Sequence, residues 1–346
     1  MYKKMAFVLL ILGLTASTLV GSGLAKGSST VVNVMIDADT TPSPTMAEVN
    51  AYYVQLINLT NVIENNHLNA TVFTTSDMDT TDRIGITHLQ KLNNFEIALH
   101  GNTTGENLSA MSETEQDKLF AKEIGFVNNC YICGGKAPNV KGFRPQLFEQ
   151  NNDTFKVLNK YGFIYDAGFK AGVLYLPGHQ NDTWPYPIPN YNLYAVPVST
   201  YTLSGEKVYL YDRYLRDNKS LTADRWYDVL KGKFDEAASK GQPMVVIFSN
   251  MVSGASDYLG AYKKFINYAR SENASFVTTR QLVNITRAGG IVPANGNQPS
   301  ANSKCPECDS LKKSLASGPA VTVTVSSPSG NQSLSANSAK NATKKQ

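Results

Sequence analysis

Charge is scarce in this sequence, and so are tryptophan, histidine and cysteine. Only 17% of its 346 residues are charged, and 32 basic against 28 acidic side chains leave a formal +4, part of it carried by Lys3, Lys4, Lys344 and Lys345. That leaves no basic face to grip phosphates, so nucleic acid is excluded as a partner. No apolar run is long enough for a clear membrane span. Met5 to Val20 falls short of the ~20 residues a spanning helix needs, and Gly13 and small hydroxyl residues thin it further. With Lys3 and Lys4 before it and Gly23-Leu24-Ala25 after it, the run reads as a secretory leader over residues 1–25, with a single membrane anchor as the competing reading. The expectation is a secreted or cell-surface protein whose mature chain has no membrane span. What is abundant is apolar surface: 42% hydrophobic and 10% aromatic residues, with 18 Tyr against 2 Trp, suffice for a sizeable core and exclude wholesale disorder.

Eleven Asn-x-Ser/Thr triplets, from Asn58 to Asn341, fit the extracytoplasmic reading as glycosylation acceptors, although an Asn-, Ser- and Thr-rich chain also produces them by chance. The four cysteines form two close pairs, Cys130 with Cys133 and Cys305 with Cys308. Outside the cell such pairs are disulfide candidates, within each pair or between tail and body. A shared structural zinc is the alternative, weakened by the roughly 170 residues between the pairs.

From Val31 to about Ile285 short β-branched runs alternate with longer amphipathic ones, the rhythm of an α/β protein with a parallel sheet. Strands are expected at Val31–Ile36, Ala70–Thr74, Glu96–Leu99, Gly162–Tyr165, Met244–Phe248 and Ser275–Val277. Helices are expected at Thr45–Asn65, Thr114–Asn128, Thr154–Tyr161, Ala223–Ser239 and Asp257–Ser271, each opening near a residue able to cap it. Ala171 to Pro197, with five prolines, reads as loop or irregular strand over one end of the barrel. The domain organisation is a leader over 1–25, a barrel domain over 26–289 and a low-complexity tail over 290–346.

Chemistry concentrates at strand ends. The first strand runs into Asp37-Ala-Asp39, where two carboxylates can divide labour between base and cation ligand, although an Asx turn closing a strand gives the same pattern. The third expected strand ends in His100, whose neutral imidazole suits zinc or a similar ion. Arg144, in Gly142-Phe-Arg-Pro145, would lower the pKa of a nearby carboxylate and hold it in place.

The order of these segments resembles the polysaccharide deacetylase family with the NodB homology domain, also called carbohydrate esterase family 4. The elements that carry it are the Asp-bearing first strand, Asn69-Ala-Thr-Val-Phe-Thr-Thr75, Phe95-Glu-Ile-Ala-Leu-His100, Gly142-Phe-Arg-Pro145, Leu158-Asn-Lys-Tyr-Gly-Phe-Ile-Tyr-Asp166 and Phe276-Val-Thr-Thr-Arg-Gln-Leu282. The resemblance implies a distorted (β/α) barrel and hydrolysis of N- or O-acetyl groups on a polysaccharide with the help of a divalent metal, zinc or alternatively cobalt or nickel. It makes Asp37 the catalytic base, Asp39 and His100 metal ligands, and Arg144 the residue that orients the base. Two positions depart from the pattern. Thr104 stands where the family has a second metal-binding His, and Ser249 stands where it has the His that protonates the leaving group. A missing general acid typically costs ~10²–10⁴ in rate. His179, in the Pro-rich segment, is a substitute ligand or acid or else a surface loop residue, and the aromatics Trp184, Tyr186 and Tyr191 are candidates to stack on sugar faces. The competing function is a degenerate barrel that binds glycan without hydrolysing it.

Overall fold

In the first strand, Val31-Val-Asn-Val-Met-Ile-Asp-Ala38, every residue is buried, as expected when a parallel sheet is covered on both faces. Its one early polar side chain, Asn33, is satisfied internally: Nδ2 donates to the Val277 carbonyl at 2.9 Å and Oδ1 accepts from Thr279 Oγ1 at 3.2 Å. The computed structural model describes residues 29–128 and 140–289. The expected leader, the tail and all four cysteines therefore lie outside the described residues.

The elements follow in the order β1 (Val31–Ala38), α1 (Met46–Asn65), β2 (Ala70–Thr74), α2 (Ser76–Thr81), α3 (Arg83–Lys91), β3 (Phe95–Leu99), α4 (Glu113–Val127), β4 (Gly142–Phe143), α5 (Asn152–Lys160) and β5 (Tyr165–Lys170). They continue with β6 (Tyr186–Pro187), β7 (Tyr194–Val198), β8 (Thr200–Leu203), β9 (Glu206–Tyr209), α6 (Asp212–Lys219), α7 (Ala223–Lys240), β10 (Met244–Ser249), α8 (Asn250–Ser253), α9 (Ser256–Ser271), β11 (Ser275–Val277) and α10 (Thr279–Arg287). The main sheet has the order β10-β1-β2-β3-β4-β5-β7-β6, with β11 pairing the start of β1 beside β2. All its ladders are parallel except β6 with β7.

The sheet curls into a distorted (β/α) barrel. Between β7 and β10 there is no regular ladder. Single residues stitch the seam: Ser199 N–H donates to the Val245 carbonyl at 3.0 Å, Leu210 N–H to the Ser199 carbonyl at 2.9 Å, and Ile247 N–H to the Leu210 carbonyl at 2.9 Å. The Ser199 hydroxyl accepts from Val245 N–H at 2.9 Å, so one side chain does part of the work of a strand.

The helices start where short polar side chains can satisfy their first N–H groups. Capping boxes form at Thr45 with Glu48, Ser112 with Glu115, Asn151 with Thr154 and Thr278 with Gln281. Two expectations need correction. The strand expected at Gly162–Tyr165 begins only at Tyr165, because Gly162, at φ +67°, closes α5, with Phe163 N–H donating to the Leu158 carbonyl and Gly162 N–H to Asn159. Part of the Ala171–Pro197 segment is regular: Tyr194–Val198 is a buried strand beside β5, and Pro197 sits just after a register shift, where a missing donor is tolerated.

No helix among the described residues is long and apolar enough to cross a membrane. Of the acceptor asparagines, Asn69 is buried with Nδ2 donating to the Phe276 carbonyl, and Asn58 is half-buried with Nδ2 donating to the Gly254 carbonyl.

One apolar core fills the barrel and the layer between sheet and helices. Its largest fully buried side chain is Trp226 on α7, edge-on to Phe248 of β10 at 5.9 Å between centroids, with an indole N–H that finds no hydrogen-bond partner among the described residues. Trp226→Ala is expected to cost about 3–5 kcal/mol in chemical denaturation. Trp226→Phe should cost clearly less, because it keeps a ring against Phe248 and removes the unpaired donor.

Candidate active site

Alternation along β1 puts Asp37 and Asp39, two residues apart, on one face at the C-terminal rim. Register sets their neighbours: Asp37 lies opposite Ser249 of β10 on one side and Phe73 of β2 on the other. His100 follows β3 directly, and Arg144 follows β4, the two-residue strand between β3 and β5. Gly101, at φ +90°, lets the chain turn sharply after His100, and a Cβ there would stand 2.7 Å from Glu106 Oε2.

All four side chains are at most 1% exposed. Arg144 binds Asp37 as a fork, Nε donating to Oδ1 at 3.2 Å and Nη2 to Oδ2. The same Nη2 donates to His100 Nε2. That assignment is forced, because His100 Nδ1 lies 2.7 Å from the Arg144 carbonyl, which can only accept. The imidazole is therefore neutral, with its Nε2 lone pair accepting from the Arg144 guanidinium beside the two carboxylates. Burial, reinforced by the Arg144 charge, pushes its pKa down to about 3. Burial also raises the Asp37 carboxyl above its usual range, with Arg144 and Tyr211 pulling the other way. The guanidinium is enclosed by rings: Phe73, Phe148 and Tyr211 have centroids 5.8, 5.4 and 5.7 Å from its carbon.

Three residues that sequence reasoning missed hold Asp39. Gln146 Nε2 donates to Asp39 Oδ1 and to the His100 carbonyl, at 3.0 Å each, while its Oε1 accepts from Gly105 N–H at 3.2 Å. Asn250 clamps the Asp39 backbone, Oδ1 accepting from its N–H at 3.1 Å and Nδ2 donating to its carbonyl at 3.0 Å. Arg213 Nη1 stands 3.8 Å from Asp39 Oδ2.

Of the two positions that depart from the expected pattern, only Ser249 has a structural use on view. Ser249 caps α8, its hydroxyl accepting from Met251 N–H at 3.2 Å, and its own N–H donates to both Asp212 oxygens at 3.0 Å. Asp212 also accepts from Ser253 and Arg213 N–H, so it fixes the turn out of β10, and burial raises it to about 7. Thr104 Oγ1 is buried without a hydrogen-bond partner.

The Pro-rich segment contributes less than expected. His179 Nδ1 is bound to Asp182 Oδ2 at 2.6 Å, and its ring stacks on Tyr186 at 4.0 Å. Tyr186 itself is only 4% exposed, edge-on to Phe169, with its hydroxyl accepting from Leu176 N–H. The sugar-stacking expectation for Tyr186 is therefore corrected: its ring has no free face. Trp184 is half-buried against the core, and Tyr191 packs on Phe155. The aromatics that do reach outward from the cluster are Tyr209, 5.3 Å from Phe148, and Tyr214, stacked on Tyr209 at 4.0 Å, both half-buried.

The donor set suits a divalent ion. Ligand atoms of Asp37, Asp39 and His100 lie within 4.8 Å of one another, with His100 Nε2 at 3.6 Å from Asp37 Oδ2 and 3.8 Å from Asp39 Oδ1. Those separations match ligands about 2.0–2.2 Å from a shared ion. Asp39 Oδ2 is buried with no hydrogen-bond donor of its own. An ion there competes with the Arg144 guanidinium for His100 Nε2 and Asp37 Oδ2.

No family model and no curated protein matches the sequence. Solved structures do match. A protein described as a polysaccharide deacetylase from Mycobacterium smegmatis is 18% identical, with 79% of this chain and 96% of that one covered and a TM-score of 0.58. A protein described as a polysaccharide deacetylase from Pseudomonas aeruginosa PAO1 is 15% identical over 77% and 93% of the two chains, with a TM-score of 0.58. A PuuE allantoinase is 16% identical over 77% and 92%, with a TM-score of 0.59. At these identities the likeness is one of fold.

A pH titration checks the state of His100. In the metal-free protein its ring nitrogen shifts are expected to stay those of a neutral, Nδ1-protonated imidazole from pH 8 to pH 5. A folded pKa depressed below the unfolded value also means that this group's contribution to stability is present at neutral pH and is lost as the pH falls from about 6.5 toward 3.

Proposed function

We propose, from a divergent chain with the NodB-type polysaccharide deacetylase fold, a hydrolase of the acetyl groups of a cell-surface or extracellular glycan. The observation that carries the reading is the convergence of Asp37, Asp39 and His100, with Arg144 bound to Asp37, at the C-terminal rim of the barrel. Asp39 and His100 are the ligands for a divalent ion, zinc by donor chemistry or alternatively cobalt or nickel. Such an ion supplies polarisation of the acetyl carbonyl and a more acidic water. Asp37 is the base that takes the proton of the attacking water, and its raised pKa suits that task. Arg144 holds the Asp37 carboxylate in one orientation. With Ser249 committed to capping α8, no imidazole stands ready to protonate the leaving group, and Asp37, having gained a proton, is the group at the cluster able to hand it on.

Export belongs to the same proposal. The leader expected over residues 1–25 supports it, and so do the exposed acceptor asparagines Asn107, Asn152, Asn181, Asn218, Asn273 and Asn284. The contact of the Arg144 guanidinium with His100 Nε2 favours a second reading, in which that cation stands in for the metal and the barrel binds glycan without cleaving it.

The test pairs metal analysis with acetate release from acetylated chito-oligosaccharides. One zinc per chain, lost in His100→Ala and Asp39→Ala, is expected together with acetate release that falls at least ~10²-fold in Asp37→Asn. Release unaffected by Asp37→Asn refutes the assignment. Glycan binding with neither zinc nor acetate selects the second reading.

A further inference from the structure

Beyond β5 the chain turns through Ala171 and Gly172, and together with the β8–β9 hairpin and the C-terminal half of α7 it encloses a cleft of about 200 Å³. Its charges do not balance. Lys207, Lys233 and Lys240 line it against two acids, Asp182 and Glu236. Asp182 is already occupied, with Oδ2 held by His179 Nδ1 at 2.6 Å. Glu236 is shared, with Oε1 taking Lys240 Nζ at 2.7 Å and Oε2 lying 3.5 Å from Lys233 Nζ. Among the described residues no carboxylate lies within 4 Å of Lys207 Nζ.

Two features show that this is more than a loose group of surface lysines. Lys233 is only 5% exposed, and a buried ammonium with one distant, shared counterion is costly unless a further anion meets it. Burial and the neighbouring Lys240 and Lys207 hold its amine below the usual lysine range. Gly172, at φ +66°, is the second: a Cβ there would stand 2.6 Å from Lys207 Nζ and 3.3 Å from the Gln180 carbonyl oxygen, so that ammonium lies directly against the backbone of the cleft wall. The rest of the lining is neutral and polar, amides from Gln180, Asn181 and Gln242 and hydroxyls from Thr183 and Thr202, the groups that pair with sugar hydroxyls.

We propose that this cleft binds a sugar unit carrying a carboxylate, a uronate, with Lys207 and Lys233 on the oxyanion and the amides and hydroxyls on the ring. The proposal stands apart from the hydrolytic reading, since it uses none of the residues at the Asp37 cluster.

Calorimetric titration of the full chain with D-glucuronate, glucose and inorganic phosphate tests it. Saturable glucuronate binding at one site is expected, with glucose and phosphate each weaker by about tenfold or more. Lys207→Ala and Gly172→Ala should each weaken glucuronate binding by about tenfold and leave any acetate release from neutral chito-oligosaccharides unchanged; Lys207→Ala should also leave the melting temperature unchanged, whereas Gly172→Ala lowers it through the strain of a Cβ at left-handed φ. Lys233→Met should weaken glucuronate binding by a similar factor without lowering the melting temperature, since it removes a costly buried ammonium. Absence of glucuronate binding, binding indifferent to Lys207→Ala and Gly172→Ala, or phosphate binding as tight as glucuronate would each overturn the proposal.

Discussion

A guanidinium cut off from water needs every donor met and every face covered, and the Arg144 site is organised around that requirement. Its charge is balanced by Asp37, its second donor contact is His100, Nη1 leans toward the Pro145 carbonyl, and three aromatic rings close over it. Removing one member of such a group leaves a buried charge unanswered, which costs far more than the pair contributes when intact. The backbone bends to keep it: Leu147 and Phe148 both adopt left-handed φ, at +56° and +62°, just after Gln146, and the second of them brings its ring under Arg144.

The fold was legible because its signals are local. Continuous apolar strands such as Val31–Ala38, and caps such as Thr45 with Glu48, announce themselves in a few residues. The barrel seam was not legible, because Ser199 and Leu210 join β7 to β10 through tertiary hydrogen bonds that no periodicity records. The strand at Tyr194–Val198 was obscured by prolines that disqualify a central strand in general but are tolerated beside a register shift.

At the site, Asp37, Asp39, His100 and Arg144 could be read because strand ends and motif order place them. Gln146, Asn250 and Arg213 could not, since an amide or a cation becomes a partner of Asp39 only once distant segments meet. The aromatic expectation failed at Tyr186 for a physical reason: an aromatic residue in a Pro-rich segment is as useful for packing that segment down as for meeting a ligand, and here His179 and Phe169 cover it. Ser249 stands where the resemblance leads one to expect an imidazole, and its side chain is engaged otherwise. Once a hydroxyl caps the next helix and Asp212 fastens its amide, the position serves local geometry.

The stitched seam gives the barrel an uneven grain. Along most of the sheet neighbouring strands are held by ladders, whereas β7 and β10 meet through a handful of individual bonds, and Tyr211, which stands over the Arg144 guanidinium, belongs to the segment that forms them. Thermal breathing of the wall along this seam would open beside the charged cluster, so that a line of the cylinder without a regular ladder is also the doorway through which water or an ion reaches its most secluded groups.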